Sequence, residues 1–165
     1  MMISRRTLLA GGVALGAAAI AGSVFPWIDD AEARAYPFQL TDAQWRSRLT
    51  PQQYAILREK ATERPFTHPL NHEKRKGTFR CAGCEQPLFA SRTKFDSGTG
   101  WPSFYQPLPG RVGTSTDRDL GYARTEVHCA RCGGHLGHVF DDGPRPTGLR
   151  YCMNGGAMTF APATG

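Results

Sequence analysis

The chain has no dense cluster of Lys and Arg, although its formal charge is +6 and its pI about 9.3. Its basic residues are scattered and two of them, Arg5 and Arg6, open an N-terminal leader. That distribution does not describe a nucleic-acid groove, which concentrates its cations. No cysteine occurs in the first 35 residues, which excludes a lipoprotein. Length is limited too: 165 residues suffice for one domain of ordinary size and are too few for two. Cysteine is scarce, five in all, and four of the five fall into two CxxC pairs. Cys152 alone lacks such a partner. Gly and Pro, at 19 and 12, are on the high side and indicate short strands joined by many turns.

The leader reads as an export signal. Ser4-Arg5-Arg6-Thr7-Leu8-Leu9 is a twin-arginine start, followed by a Gly-rich and only moderately hydrophobic run to Ile28. Pro26 interrupts that run, so a stable membrane span is not expected once the leader is removed. Small residues place cleavage at Ala31-Glu32-Ala33 or Ala33-Arg34-Ala35; an uncleaved anchor is the alternative. The expected organisation is a signal peptide over 1–35 and one domain over 36–165, sent to the periplasm or otherwise exported by the twin-arginine route. That route generally carries folded proteins, so metal can be loaded before the thiols meet an oxidising compartment.

The mature chain opens with two helices. Leu40 to Leu49 reads as a short helix capped by Thr41 or Asp42. Thr50-Pro51-Gln52-Gln53 starts a second: Thr50 caps, Pro51 suits the first turn and Gln53 closes a capping box. Tyr54, Leu57 and Ala61 recur at helical spacing and should face the core, with Pro65 ending the segment. These helices should cover one side of a sheet.

Cys81-Ala82-Gly83-Cys84 and Cys129-Ala130-Arg131-Cys132 are knuckles, each followed by turn residues. Two thiolates three residues apart chelate one ion, and two such turns complete a tetrahedron, so Cys81, Cys84, Cys129 and Cys132 are the expected ligands of one structural zinc. The long interval between the pairs means that the metal staples distant parts of a sheet. Redox disulfides within the pairs, or a ligand from the adjacent His128 or His135, are the competing readings. A closed four-thiolate site leaves no open position, so this metal would stay out of any reaction.

The segment Gly148 to Asn154 alternates, with Leu149, Tyr151 and Met153 on one strand face and Arg150, Cys152 and Asn154 on the other. A cation beside a thiol lowers its pKa and raises the reactive thiolate fraction. Around Gly137, His135 and His138 would face opposite ways on a regular strand, and a bulge at the glycine would bring them to one site. Two histidines and a following Asp suit proton transfer near neutral pH. Gly98 and Gly100 allow Trp101 to be presented at a bend before the rigid Pro102.

Taken together, Thr50-Pro51-Gln52-Gln53-Tyr54, the two CxxC pairs, Ser97-Gly98-Thr99-Gly100-Trp101-Pro102-Ser103-Phe104, Gly134-His135-Leu136-Gly137-His138-Val139-Phe140 and Arg150-Tyr151-Cys152-Met153-Asn154 resemble the methionine sulfoxide reductase family of the B type, from about Trp45 to Phe160. The resemblance implies a mainly β fold. Two antiparallel sheets, tent- or barrel-like, would carry N-terminal helices and be stapled by a four-cysteine zinc site remote from catalysis. It implies reduction of methionine-R-sulfoxide in proteins, with no organic cofactor. It implies Cys152 as nucleophile and Trp101 and Phe140 as the walls holding the substrate methyl group. His135, His138, Asp142 and Asn154 would orient and protonate the sulfoxide oxygen, and Arg150 would favour the thiolate. Many members carry a resolving cysteine where this chain has Thr99. With the other four cysteines committed to metal, the Cys152 sulfenic acid should be reduced by an external thiol, thioredoxin-like or other. Oxidised proteins are the expected substrates and nucleic acid is not an expected partner. A zinc-stapled binding module without turnover is a second reading. The joint presence of Cys152, both histidines and Trp101 favours the enzyme.

Overall fold

A computed structural model of the chain describes residues 36–164. The twin-arginine leader expected over 1–35 lies outside the described residues.

Local sequence sets the two helices. Thr41 caps α1 (Asp42–Arg48) and Thr50 caps α2 (Pro51–Glu59), each in a reciprocal capping box with the Gln three residues on. Such boxes satisfy N–H groups that a helix start otherwise leaves unpaired. Tyr54 and Leu57 face the core as the periodicity requires, and Ile56 joins them. The helix closes before Pro65: Lys60 adopts a left-handed conformation at φ 57° and the Ala61 N–H returns to the Ala55 carbonyl.

The rest is strand and turn. Strands β1 (Gly77–Cys81), β2 (Pro87–Ala90) and β9 (Met158–Pro162) form a three-stranded antiparallel sheet in the order β2-β1-β9. Strands β3 (Lys94–Phe95), β4 (Ser103–Phe104), β5 (Val112–Asp117), β6 (Arg124–Cys129), β7 (His135–Phe140) and β8 (Arg150–Met153) form a six-stranded antiparallel sheet in the order β3-β4-β8-β7-β6-β5. This is the mainly β, two-sheet architecture expected above. Phe79 of β1, Phe89 of β2 and Phe104 of β4 lock the sheets together: Phe89 and Phe104 stack at 4.3 Å and Phe79 meets Phe104 edge-on at 4.9 Å. Val127, Met153 and Phe104 of the larger sheet are buried in this core, with Val139 and Tyr151 packed against it. Among the described residues no helix is long and apolar enough to cross a membrane.

Period-two geometry then fixes what the opposite face must present. Paired residues of antiparallel strands share a face, and so do residues two apart. Ser103 pairs with Cys152, Cys152 with His138, His138 with Glu126 and Glu126 with Ser115. Asp117, Arg124, Phe140 and Arg150 lie two residues further along the same strands. One face of the six-stranded sheet is therefore polar and reactive while the other builds the core.

Candidate active site and metal centre

Cys152 sits half-buried at the middle of that polar face. Burial pushes its thiol pKa up, which hydrogen bonding from Thr99, the Arg150 charge and hydrogen bonds from Arg150 and Ser103 oppose without cancelling. Arg150 thus acts in the direction expected of a cationic neighbour, but its charge is shared. Both of its fork nitrogens reach the Asp142 carboxylate at 2.8 Å, and its guanidinium lies 4.5 Å over the half-buried Phe140 ring. Hydroxyls complete the thiol's surroundings. Ser97 Oγ joins Thr99 Oγ1 at 2.8 Å and Ser103 Oγ at 2.7 Å, and Thr99 Oγ1 lies 3.9 Å from the Cys152 sulfur.

The two histidines come together. Strand β7 bulges against β6 near Gly137, and the rings of His135 and His138 meet edge-on at 5.4 Å. Gly137 is required there, because a Cβ would lie 2.1 Å from the Cys152 carbonyl oxygen. Asp142, expected beside the histidines, is held by Arg150 instead, and each histidine has a carboxylate of its own. His138 Nε2 lies 2.6 Å from Asp117, which also accepts from Arg124 at 2.6 Å. His135 Nδ1 lies 2.8 Å from Glu126, which accepts from Lys60 and Ser115 as well. Asp117 is held down to about 2 by backbone and His138 hydrogen bonds. His138 is lowered from 6.5 by burial, against the pull of Asp117. His135 is 2% exposed, and its Nε2 has no hydrogen-bond partner among the described residues.

Burial alone would raise Glu126, but hydrogen bonds from His135, Lys60 and Ser115 hold it at about 2 instead of 4.5. A depressed carboxyl pKa stabilises the fold above the unfolded value, and that contribution drains as pH falls from 4.5 toward 2. Calorimetry of Glu126→Gln should therefore show a lower Tm at pH 7 and a shallower fall of Tm across that window than wild type. Parallel curves would contradict the assignment.

Glu63, which no motif singled out, ties the Trp101 bend to the end of the Cys152 strand. Its carbonyl accepts from the Trp101 indole at 3.1 Å and its N–H donates to Asn154 Oδ1 at 3.0 Å. Its carboxylate accepts from the N–H groups of Gly155 and Gly156 at 2.6 and 2.8 Å. Asn154 is 3% exposed and also donates to the Leu136 carbonyl, so its amide braces the end of β8 against β7 and Glu63.

The four remaining cysteines converge elsewhere. Cys81 ends β1 and Cys129 ends β6, while Cys84 and Cys132 lie in the turns that follow. The turns are alike: Glu85 and Gly133, each directly after the second cysteine, are left-handed at φ 63° and 70° and donate back to the Cys81 and Cys129 carbonyls. The four buried sulfurs lie within 4.8 Å of one another. Cys81–Cys132 and Cys84–Cys129 separations are 3.7 and 3.5 Å, and none of the four is in a disulfide. A tetrahedral thiolate site with metal–sulfur bonds of about 2.3 Å sets its sulfurs roughly 3.8 Å apart, so this donor set fits. Hydrogen bonds among the sulfurs lower the Cys84 and Cys129 pKa values and raise those of Cys81 and Cys132. Four sulfur donors this close could hold one metal ion. His135 is turned to Glu126 and takes no part in the cluster.

The chain is similar to known proteins over most of its described length. A family model described as the SelR domain matches residues 49–162. The chain is 60% identical over 123 residues to "Peptide methionine sulfoxide reductase MsrB" of Agrobacterium fabrum, covering 74% of this chain and 91% of that protein. It is 54% identical over 126 residues to the protein of the same name from Leptospira interrogans, covering 76% and 96%. Against "Peptide methionine sulfoxide reductase B1, chloroplastic" of Arabidopsis thaliana it is 55% identical over 120 residues, covering 72% and 59%.

Proposed function

We infer the function from one premise: the chain belongs to the SelR domain family of peptide methionine sulfoxide reductases. It is a methionine-R-sulfoxide reductase that acts on oxidised methionine in proteins and draws its electrons from a thiol. The observation that carries the catalytic reading is the strand pairing that sets Cys152 between Ser103 and His138.

Cys152 is the nucleophile. Its sulfur attacks the sulfoxide sulfur while the sulfoxide oxygen, a poor leaving group, takes up a proton. Burial keeps the resting thiol protonated. The proton lost by Cys152 and the one gained by oxygen then balance: sulfoxide plus thiol gives methionine plus a Cys152 sulfenic acid. His138 relays that proton, oriented by Asp117, and its lowered pKa makes the imidazolium a willing donor. The unpartnered Nε2 of His135 is the second polar contact for the oxygen. Trp101 and Phe140 receive the methyl group. Arg150, steadied by Asp142, supports the ionised sulfur, and Asn154 positions the strand that carries it.

Thr99 makes the recycling step intermolecular. A thiol reductant attacks the sulfenic sulfur, water leaves, and a second thiol releases Cys152 as thiol. Single-turnover mass spectrometry without reductant should give one oxygen on Cys152, trapped by a sulfenate-specific carbon nucleophile, and no disulfide to Cys152. A disulfide to any of the other four cysteines would contradict this reading.

Zinc is the metal that suits four converging thiolates, held by Cys81, Cys84, Cys129 and Cys132. Bound there it stabilises the fold. The leader over 1–35 supports twin-arginine export and a periplasmic site of action. Recovery of a cytosolic protein that still begins at Met1 would overturn that localisation.

A further inference from the structure

Beside the cysteine cluster lies a cavity of about 540 Å³, within the range of about 300–1,000 Å³ common for small-ligand sites. Arg48, Arg80, Arg111 and Arg131 all line it, against a single carboxylate, Glu85. Cys84 is the only one of the four clustered cysteines on its wall, so the cavity is distinct from the metal centre. No residue of the Cys152 face lines it.

The four arginines divide into two pairs. Arg48 Nε donates to the Gly83 carbonyl at 2.6 Å and Arg131 Nη1 to the Cys84 carbonyl at 2.9 Å, so these two brace the first knuckle. They also lie 5.8 and 5.1 Å from the centre of the Phe38 ring, which holds their planes in place. Arg80 and Arg111 have no such duty. Neither side chain makes a hydrogen bond or ion pair among the described residues, and Arg80 Nε is buried without an acceptor. Arg124 Nε on the Cys152 face is also buried without an acceptor, but Arg124 has Asp117 and Arg150 has Asp142 as carboxylate partners, which Arg80 and Arg111 lack. Four cations around one carboxylate repel one another, and a buried donor without an acceptor is costly. An oxyanion relieves that repulsion, and guanidinium forks match phosphate oxygens in geometry.

We propose that this cavity binds a phosphate-bearing ligand, held by Arg80 and Arg111 with Arg48 and Arg131 at its sides. The site is separate from sulfoxide reduction. The phosphate group belongs either to a soluble phosphate compound or to a lipid headgroup.

The test is calorimetric titration of the zinc-loaded full chain with sodium pyrophosphate at low salt, and co-sedimentation with phosphatidylglycerol against phosphatidylcholine vesicles. Saturable binding at one site is expected. Arg80→Gln and Arg111→Gln should each weaken it about tenfold, the scale of one lost charge-assisted hydrogen bond. Zinc content and sulfoxide turnover should be unchanged in both. Should Arg80→Gln fail to fold, the exposed Arg111 carries the test alone. Pyrophosphate binding identifies a soluble ligand, and Arg111-dependent binding to phosphatidylglycerol without pyrophosphate binding identifies a headgroup. No saturable binding of either probe overturns the proposal. So does binding that Arg118→Gln, in the loop before β6, weakens as much as Arg111→Gln, because that would be surface charge in general.

Discussion

Cys152→Ser should lower kcat/KM for a peptide methionine-R-sulfoxide on the order of 10⁵-fold or more, the scale on which enzymes respond to loss of a nucleophile. The effect is chemical. Serine oxygen cannot be taken up one rung as sulfur is, so no intermediate exists for a thiol to rescue. The fold should tolerate the change. Cys152 is half-buried and faces the hydroxyl network of Thr99, Ser97 and Ser103, into which a serine hydroxyl fits. A Tm within a few degrees of wild type, with turnover gone, separates chemistry from unfolding. Retained turnover would move the nucleophile to one of the other four cysteines and dissolve the metal assignment with it.

Cys129→Ala should unfold the protein at ordinary temperature or leave it insoluble. Structural zinc in small domains is bound with an apparent free energy of about 10–16 kcal/mol. A domain of this size is stable by only about 5–15 kcal/mol. Losing one thiolate of four forfeits much of that. Even a deficit of about 5 kcal/mol lowers Tm by roughly 15–20 °C. The topology makes the loss global, because the knuckle following β1 belongs to the three-stranded sheet and the knuckle following β6 to the six-stranded one. Wild type should hold about one zinc per chain and release it only on unfolding. A variant that is zinc-free, folded and of unchanged Tm would show that the sheets do not depend on metal.

The parts of the structure legible in the sequence are those that local chemistry specifies. Both capping boxes lie within four residues of chain, and so does each knuckle. The alternation from Leu149 to Asn154 places Arg150 and Cys152 together because β8 obeys a period of two. The bulge at Gly137 was readable as a requirement, since two histidines three apart share a strand face only if the strand is bent. What was not legible depends on register. Asp117 and Glu126 reach the histidines only because β5, β6 and β7 pair in one particular alignment, set by turns that bear no mark of the site. Without that alignment Asp141 and Asp142 are the carboxylates that follow the histidines in the chain, and only the fold shows that Arg150 claims Asp142. Glu63 is the extreme case: it acts through its backbone and through the backbone of Gly155 and Gly156, far along the chain, so its side chain forms no pattern with its neighbours. The net pKa of Cys152 was illegible for a related reason. The cation was visible in the sequence, whereas the burial that outweighs it is a property of the packed sheet.

The most direct measurement is turnover of the separated R and S epimers of a peptide methionine sulfoxide by the wild-type chain with dithiothreitol. The account predicts reduction of the R epimer alone, with one methionine formed per dithiol oxidised. Reduction of the S epimer at a comparable rate, or no reduction of either by folded, zinc-loaded protein, would contradict it.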